Sequence, residues 1–360
     1  MKKIFLGKLL LLIWLLLVAQ TGDNQQFRLI NADRLHMVNP ESGQILQLNG
    51  KVHFFYGDIE FRSDRALILD AQKIARLSGN VVVENDSLHL VADSLAYYRN
   101  SQVLNLGGRV RATQRTAQGK TRWMEGEHGI YDRANNTLTL WDRVRAYDQE
   151  ENVFAECGYA FWDRKAGYAY LIEEPKIRAG AADTLYISAD KMEYFESERK
   201  LIATFNVATE SRDYHATSDF LIYFANEERA VFSGEPDFLN DFAAARAREF
   251  HLYFQDQELS RVVLVDSCRV FFAREEGEEK NNWVQAANIE LNFMDGRVSD
   301  FSADRDVSYY FEQDESENRD YFINRATGER LKAKFDEDNQ LKLMDMGGSI
   351  RGIYKFKNDP

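Results

Sequence analysis

The chain has 360 residues, with 58 Asp and Glu against 45 Lys and Arg for a formal net charge of -13, and it contains only four prolines and two cysteines. So acidic a chain argues against nucleic-acid binding, which needs clustered cations against phosphate, and a mean hydropathy of -0.48 marks most of it as water-facing. An aromatic content of 13%, mostly Phe and Tyr, is what strands over an apolar interior require.

Residues 1–20 stand apart. Met1-Lys2-Lys3 is a basic start, Leu9 to Ala19 is almost wholly apolar, and Leu17-Val18-Ala19 offers a small residue for cleavage near Gln20. An uninterrupted run of about 11 apolar residues falls short of the about 20 a spanning helix needs, so the segment reads as a secretory signal peptide. No cysteine stands at the cleavage point to carry a lipid. Loss of Lys2, Lys3 and Lys8 takes the net charge from -13 to -16.

Beyond it the chain repeats itself about every 30 residues, the mark of a repeat architecture. An acid or its stand-in opens each unit at Asp33, Asp64, Asp93, Glu127, Glu156, Asp190, Asp219, Arg248 and Ala287. Leu35 and Met37, Ala66 and Ile68, Leu95 and Tyr97, Met192 and Tyr194, and Leu221 and Tyr223 share parity with their acids, which predicts strands with one covered face. The acid itself is expected to cap the turn into each strand by accepting backbone N–H bonds.

A second strand closes each unit: Leu48-Asn49-Gly50-Lys51-Val52, Leu77-Ser78-Gly79-Asn80-Val81, Leu106-Gly107-Gly108-Arg109-Val110, Leu140 to Val144 and Phe232 to Pro236. Turn-formers such as Asn39 to Gly43, Arg99-Asn100-Ser101 and Ala134-Asn135-Asn136 connect antiparallel neighbours. A glycine inside a strand marks a bulge or bend, so Gly50, Gly79, Gly108 and Gly234 predict a corner at one height in successive layers. The expected fold is all-β, an elongated jellyroll of two facing antiparallel sheets. With nine or ten strands per sheet it would be roughly 45 Å long.

Past residue 240 the pattern loosens. Phe242 to Arg248 is alanine-rich and suggests a helical turn, Phe250, Leu252 and Phe254 alternate again, and Ile289 and Leu291 follow. Arg274 to Asn282 and Asp314 to Arg319 read as solvated charged loops. Cys157 and Cys268 fall three repeat units apart, roughly 14 Å, too far for a disulfide, which needs Cα atoms within about 7 Å.

The six histidines are dispersed, with no HxH or HExxH, and no nucleophile elbow, Walker loop or dinucleotide fingerprint occurs. The acids come singly, one per unit, without a calcium loop. No catalytic residue, metal site or cofactor is expected. The inward set, Leu35, Met37, Ile68, Leu95, Tyr97, Met192, Tyr194, Leu221, Tyr223, Phe250, Leu252, Ile289 and Leu291, forms either a core or an apolar groove for acyl chains.

Signal segment, Ala92-Asp93-Ser94-Leu95-Ala96-Tyr97 and the Leu-x-Gly-x-Val series together resemble the OstA-like or LptA-type periplasmic domain of lipopolysaccharide transport, over residues 27 to 310. The resemblance implies a non-enzymatic periplasmic β-jellyroll. Protomers of that family join edge to edge with LptC-like and LptD-like partners into an apolar conduit for lipopolysaccharide or a related glycolipid. Residues 21–240 would be well-patterned repeats, and 241–360 a degenerate continuation with acidic loops. This chain is about twice as long as a minimal member, and neither a barrel nor a convincing retained anchor is evident. Strand-like patterning at Gln26 to Leu29 and Ser349 to Phe356 suggests head-to-tail self-association. Two rivals stand beside this reading: an exported structural or adhesive β-repeat protein with a filled core and no lipid, and a carbohydrate-active enzyme on a β-helix, for which the acids form no ladder.

Overall fold

The computed structural model describes residues 26–356 apart from 42, 86–87, 117–118, 181–184, 213, 241–242, 256–257, 273–280, 295–296, 314–320 and 337–340. The expected signal peptide and the loop at Asp314 to Arg319 lie outside the described residues, as does nearly all of the loop from Arg274. What is described is almost entirely strand, and every pairing is antiparallel.

The building block is a long strand that breaks in the middle. Ile45–Tyr56, Ile59–Leu69, Ile74–Asn85 and Leu88–Tyr98 pair each with the next, and the register shifts once near the centre of each pairing. Two consecutive residues on one side of the pairing take the left-handed conformation there: Gly50-Lys51, Gly79-Asn80 and Gly108-Arg109, and further on Asp142-Arg143, Phe205-Asn206, Asp266-Ser267 and Arg305-Asp306 within strands, and Glu173-Glu174 and Gly234-Glu235 between two short strands. Two residues oppose one across each break, which is a bulge and bends the strand. The corner expected at Gly50, Gly79, Gly108 and Gly234 is present at all four.

Each long strand therefore serves two ladders, and the short strands continue one ladder each. One runs from 34–38 through 45–49, 65–69 and 74–78 to 341–347. The other runs from 27–31 through 52–56, 59–63 and 81–85 to 351–356. The ladders face one another, since residues of both bury into shared cores. Because each repeat sends its chain around the corner twice, it adds two segments to each ladder and not one. The ladders hold roughly twenty segments apiece, about 95 Å at about 4.8 Å per step, which corrects the expected nine or ten strands and 45 Å.

Three further expectations change. Ala243–Arg246 is a strand paired with 237–239 and 269–272, not a helical turn, because the sheet supplies its backbone partners. Cys157 and Cys268 are buried free thiols, but seven steps of one ladder separate them, about 34 Å. The corner of strand Val153–Asp163 is Gly158, opposite Asp142-Arg143, and not Glu156.

The acids do not share the covered face either. At the corner of Ile59–Leu69, Ser63 and Ala66 are buried while Asp64 and Arg65 between them face out. The register shift breaks the alternation there. In place of backbone N–H bonds, the carboxylates accept from the side chain 16 residues on: Asn80 Nδ2 to Asp64 at 2.9 Å, Arg109 Nε to Asp93 at 2.9 Å, Arg143 to Glu127 at 2.7 Å and Asn206 to Asp190 at 2.9 Å. The corner's own backbone closes in the opposite sense, with Asp33 N–H donating to Gly50 C=O at 2.9 Å and Asp190 N–H to Phe205 C=O at 3.0 Å. Arg248 holds the same corner place with the charges exchanged, 3.3 Å from Asp266.

Candidate functional site

The space between the ladders is the candidate site. Ile68, Leu95 and Tyr97 lie in one apolar core, and Met192, Leu221, Phe250, Leu252, Ile289 and Leu291 in a second, all at most 6% exposed. The cores meet at strand Val153–Asp163, where Cys157 and Ala160 belong to the first and Ala155 to the second. Tyr194 and Tyr223 are half-buried. Leu35 and Met37 belong to neither core and are half exposed on the end strand Arg34–Val38.

Rings from both ladders close the first core. Phe54 stacks on Phe61 at 5.1 Å within one ladder, and Tyr97 of the other reaches Phe61 at 5.4 Å and Tyr56 at 6.1 Å. Such pairs add about 0.5–1.5 kcal/mol each beyond their buried area. In the second core Phe272 meets Phe301 across the interior at 5.8 Å. A void of about 10 Å³ remains beside Ile59, Leu88, Leu104 and Tyr131, no more than a single water needs. The interior is filled by side chains.

One long side of the interior is closed by the bent strands. The opposite side, where the hairpin turns of the two ladders face each other, is closed by ion pairs. Arg133, in a turn of the first ladder, donates to both oxygens of Asp58 in a turn of the second, at 2.7 and 2.6 Å. Arg199 grips Glu151 the same way at 2.8 Å twice, and Arg122 reaches across to Glu196 at 2.8 Å. Arg99 lies 4.9 Å over the ring of Tyr56.

Burial works against the charge of Arg122, but its bond to Glu196 and the charge of Asp148 more than offset this, so its pKa is raised. The bond to Glu151 raises that of Arg199. Burial pushes the Tyr56 hydroxyl up to about 12 despite Arg99, and also raises Tyr194 and Tyr223, whose neighbours include Glu151 and Arg199. Reading the sequence missed this seam. Its trace is Arg99, Arg133, Arg164 and Arg199, one arginine per turn at steps of 31 to 35 residues.

No cluster of three His, Cys, Asp or Glu side chains suited to a metal occurs among the described residues. A surface hollow of about 430 Å³ lies at the corner formed by Glu173, Glu174, Pro175 and Asp190.

A family model described as OstA-like protein matches residues 25–158 and 60–219, together more than half of the chain. The chain belongs to the OstA-like family. No curated protein matches it. Among solved structures, this OstA-like chain is similar to LptH of Pseudomonas aeruginosa, described as the LptA-homologous periplasmic component of the lipopolysaccharide transport device. Identity is 12%, over 46% of this chain and 75% of that one, with a TM-score of 0.14. No helix among the described residues of this OstA-like protein is long and apolar enough to cross a membrane.

Proposed function

We propose that this OstA-like protein is exported to the periplasm by its first 20 residues and carries lipopolysaccharide or a related glycolipid between the inner and outer membranes. It works without catalysis, with the acyl chains between the two sheets along Ile68, Leu95, Tyr97, Met192, Leu221, Phe250, Leu252, Ile289 and Leu291. Tyr194 and Tyr223 lie at the rim, and Leu35 and Met37 at the end that meets the next protein. The observation that carries this reading is a family member with two continuous facing ladders, apolar on the inside from Leu48 to Leu331. Each methylene buried there contributes about 0.8 kcal/mol. Acyl carbons that enter replace side-chain contacts across the interior with contacts of the same apolar kind.

The ends support assembly. Among the described residues, strands Arg34–Val38 and Arg351–Phe356 each pair on one side only. They expose Leu35, Met37, Ile353, Tyr354 and Phe356. Unpaired edges with exposed apolar residues favour strand addition, by LptC-like and LptD-like partners or by further copies of the chain.

The filled interior favours a second reading, an exported structural β-repeat protein with no lipid. Mass spectrometry of solvent extracts from the purified protein separates the two, together with quenching of an added tryptophan by a glycolipid brominated in its acyl chains. Tyr97→Trp reports from the interior and Tyr98→Trp from the outer face. Co-purified glycolipid, with quenching at 97 and not at 98, supports the carrier. A lipid-free protein without quenching at either position leaves the structural reading.

A further inference from the structure

We propose that the seam of ion pairs is a lateral entrance, at which Arg133, Arg122 and Arg199 exchange the carboxylates of Asp58, Glu196 and Glu151 for the phosphate groups of an anionic glycolipid. This inference rests on the carrier reading and names the chemistry that admits the lipid.

Three observations carry it. The pairs join residues 75, 74 and 48 positions apart, each linking one ladder to the other, whereas a pair such as Arg111–Glu125 joins neighbouring strands of one ladder. They lie on the side away from the covalent corners, so this is the side on which the sheets part without bending the chain. The arginines are the more covered partners in two of the three: Arg133 is 19% exposed against 62% for Asp58, and Arg122 22% against 44% for Glu196. Parting the sheets therefore exposes two guanidinium groups set deeper than the carboxylates they lose, with Arg122 keeping only Asp148 of its own ladder, 3.1 Å away.

The grip is of the right kind. Arg133 and Arg199 each hold two carboxylate oxygens through Nη2 alone, and the planar fork of a guanidinium can in addition take two phosphate oxygens on two nitrogens. A phosphate monoester brings about -1.5 to -2 charges where a carboxylate brings one, so the exchange favours the ligand. Directly behind Arg133 the wall turns apolar, with Ile59, Leu88 and Leu104 around the small void. Beneath Arg99 the fully buried Tyr56 hydroxyl has no hydrogen-bond partner among the described residues. An acyl ester oxygen at that depth accepts from it. Polar rim, buried donor and apolar interior follow the order of phosphate, ester and hydrocarbon in an acylated phosphosugar.

The test compares bisphosphorylated lipid A with the same lipid stripped of both phosphates, binding to the mature full-length protein in matched detergent. Native protein is expected to bind the phosphorylated form about tenfold more tightly, with a preference that weakens as salt rises. In a triple variant, Arg122→Gln, Arg133→Gln and Arg199→Gln, the preference and its salt dependence vanish while affinity for the stripped lipid is unchanged. In the complementary triple, Asp58→Asn, Glu151→Gln and Glu196→Gln, the phosphorylated lipid binds about tenfold more tightly than to native protein. Rim ion pairs add little to stability, and circular dichroism checks that both variants fold. Equal binding of the two lipids by native protein overturns the entrance and leaves the carrier reading standing, as does a preference that survives the arginine changes. Failure of native protein to bind either lipid removes both.

Discussion

Gly79→Ala tests the corner, on which the two-sheet arrangement depends. Gly79 has a φ of +78°, and a Cβ built there falls 2.4 Å from Asp64 Oδ2 and 2.9 Å from Asp64 Cβ. An L residue in that conformation costs about 1–2 kcal/mol. The Asp64 carboxylate can swing away, but it then gives up its bond from Asn80 Nδ2, a further 0.5–1.5 kcal/mol, roughly. The Cβ–Cβ approach remains and requires a backbone shift. Together these amount to about 2–4 kcal/mol, and at 1.4 kcal/mol per decade this is roughly a 30- to 1000-fold loss of protection. A stacked-repeat body distributes stability through neighbouring units. Hydrogen exchange read by mass spectrometry should therefore quicken in 65–69, 74–78 and 94–98 and stay unchanged in 261–265 and 288–292. Gly119→Ala is the control, since its φ of +79° faces nothing within 4 Å; only the conformational part should be seen, within its own turn. Equal effects at the two glycines would refute the steric argument, and a loss spread evenly along the chain would refute the layered one.

Three other outcomes are expected. Burial raises the Cys157 thiol to about 12 and the Cys268 thiol to about 11, so an aromatic disulfide reagent at pH 8 should label neither in the folded protein and both in denaturant; prompt labelling of the native state contradicts this. The hydrogen bond from Arg99 holds the Asp70 carboxyl below its ordinary 3.8, so its contribution is full above 3.8 and is lost as pH falls through the lowered value. Asp70→Asn should lower the unfolding free energy from urea titration slightly at pH 6, by under about 1 kcal/mol for so exposed a pair, and the gap should close in stronger acid; a gap that widens there reverses the sign. Ile353→Lys with Phe356→Lys places charge on the end strand, and light scattering should find concentration-dependent association in native protein and none in the variant; native protein that is monomeric at every concentration removes the edge-to-edge reading.

The corner was legible in the sequence because its partners keep a constant separation. Asp64 and Asn80, Asp93 and Arg109, Glu127 and Arg143, and Asp190 and Asn206 are each 16 residues apart, one hairpin of fixed length, so the repeat that forms the corner also displays it. Arg248 and Ala287 hold their places without an acid because the bulge opposite them, at Asp266-Ser267 and Arg305-Asp306, already bends the strand. Glu156 misled because at Gly158 the acid has moved to the other strand: the Glu173 carboxylate occupies the space a Gly158 side chain would fill. The sequence shows that an acid recurs, but not which of two paired strands supplies it.

The seam was not legible for the opposite reason. Asp58 meets Arg133 across 75 residues, and Glu151 meets Arg199 across 48, since the partners sit in turns of opposite ladders and no single hairpin length fixes their separation. Period 2 within a strand likewise marks Leu95 and Leu221 as inward, yet it is silent on whether a facing sheet touches them or leaves a gap; Tyr97 against Phe61 at 5.4 Å is a property of the distance between ladders. That distance is bounded on one side by bent backbone and on the other by arginine–carboxylate pairs. Backbone strain of 1 to 2 kcal/mol, roughly, accompanies each non-glycine corner residue in the left-handed conformation, whereas a partly exposed ion pair contributes about 0 to 1. Any widening of the interior therefore begins at Arg133, Arg122 and Arg199 with the corners as its hinge, and a ligand that binds those arginines better than Asp58, Glu196 and Glu151 do drives it.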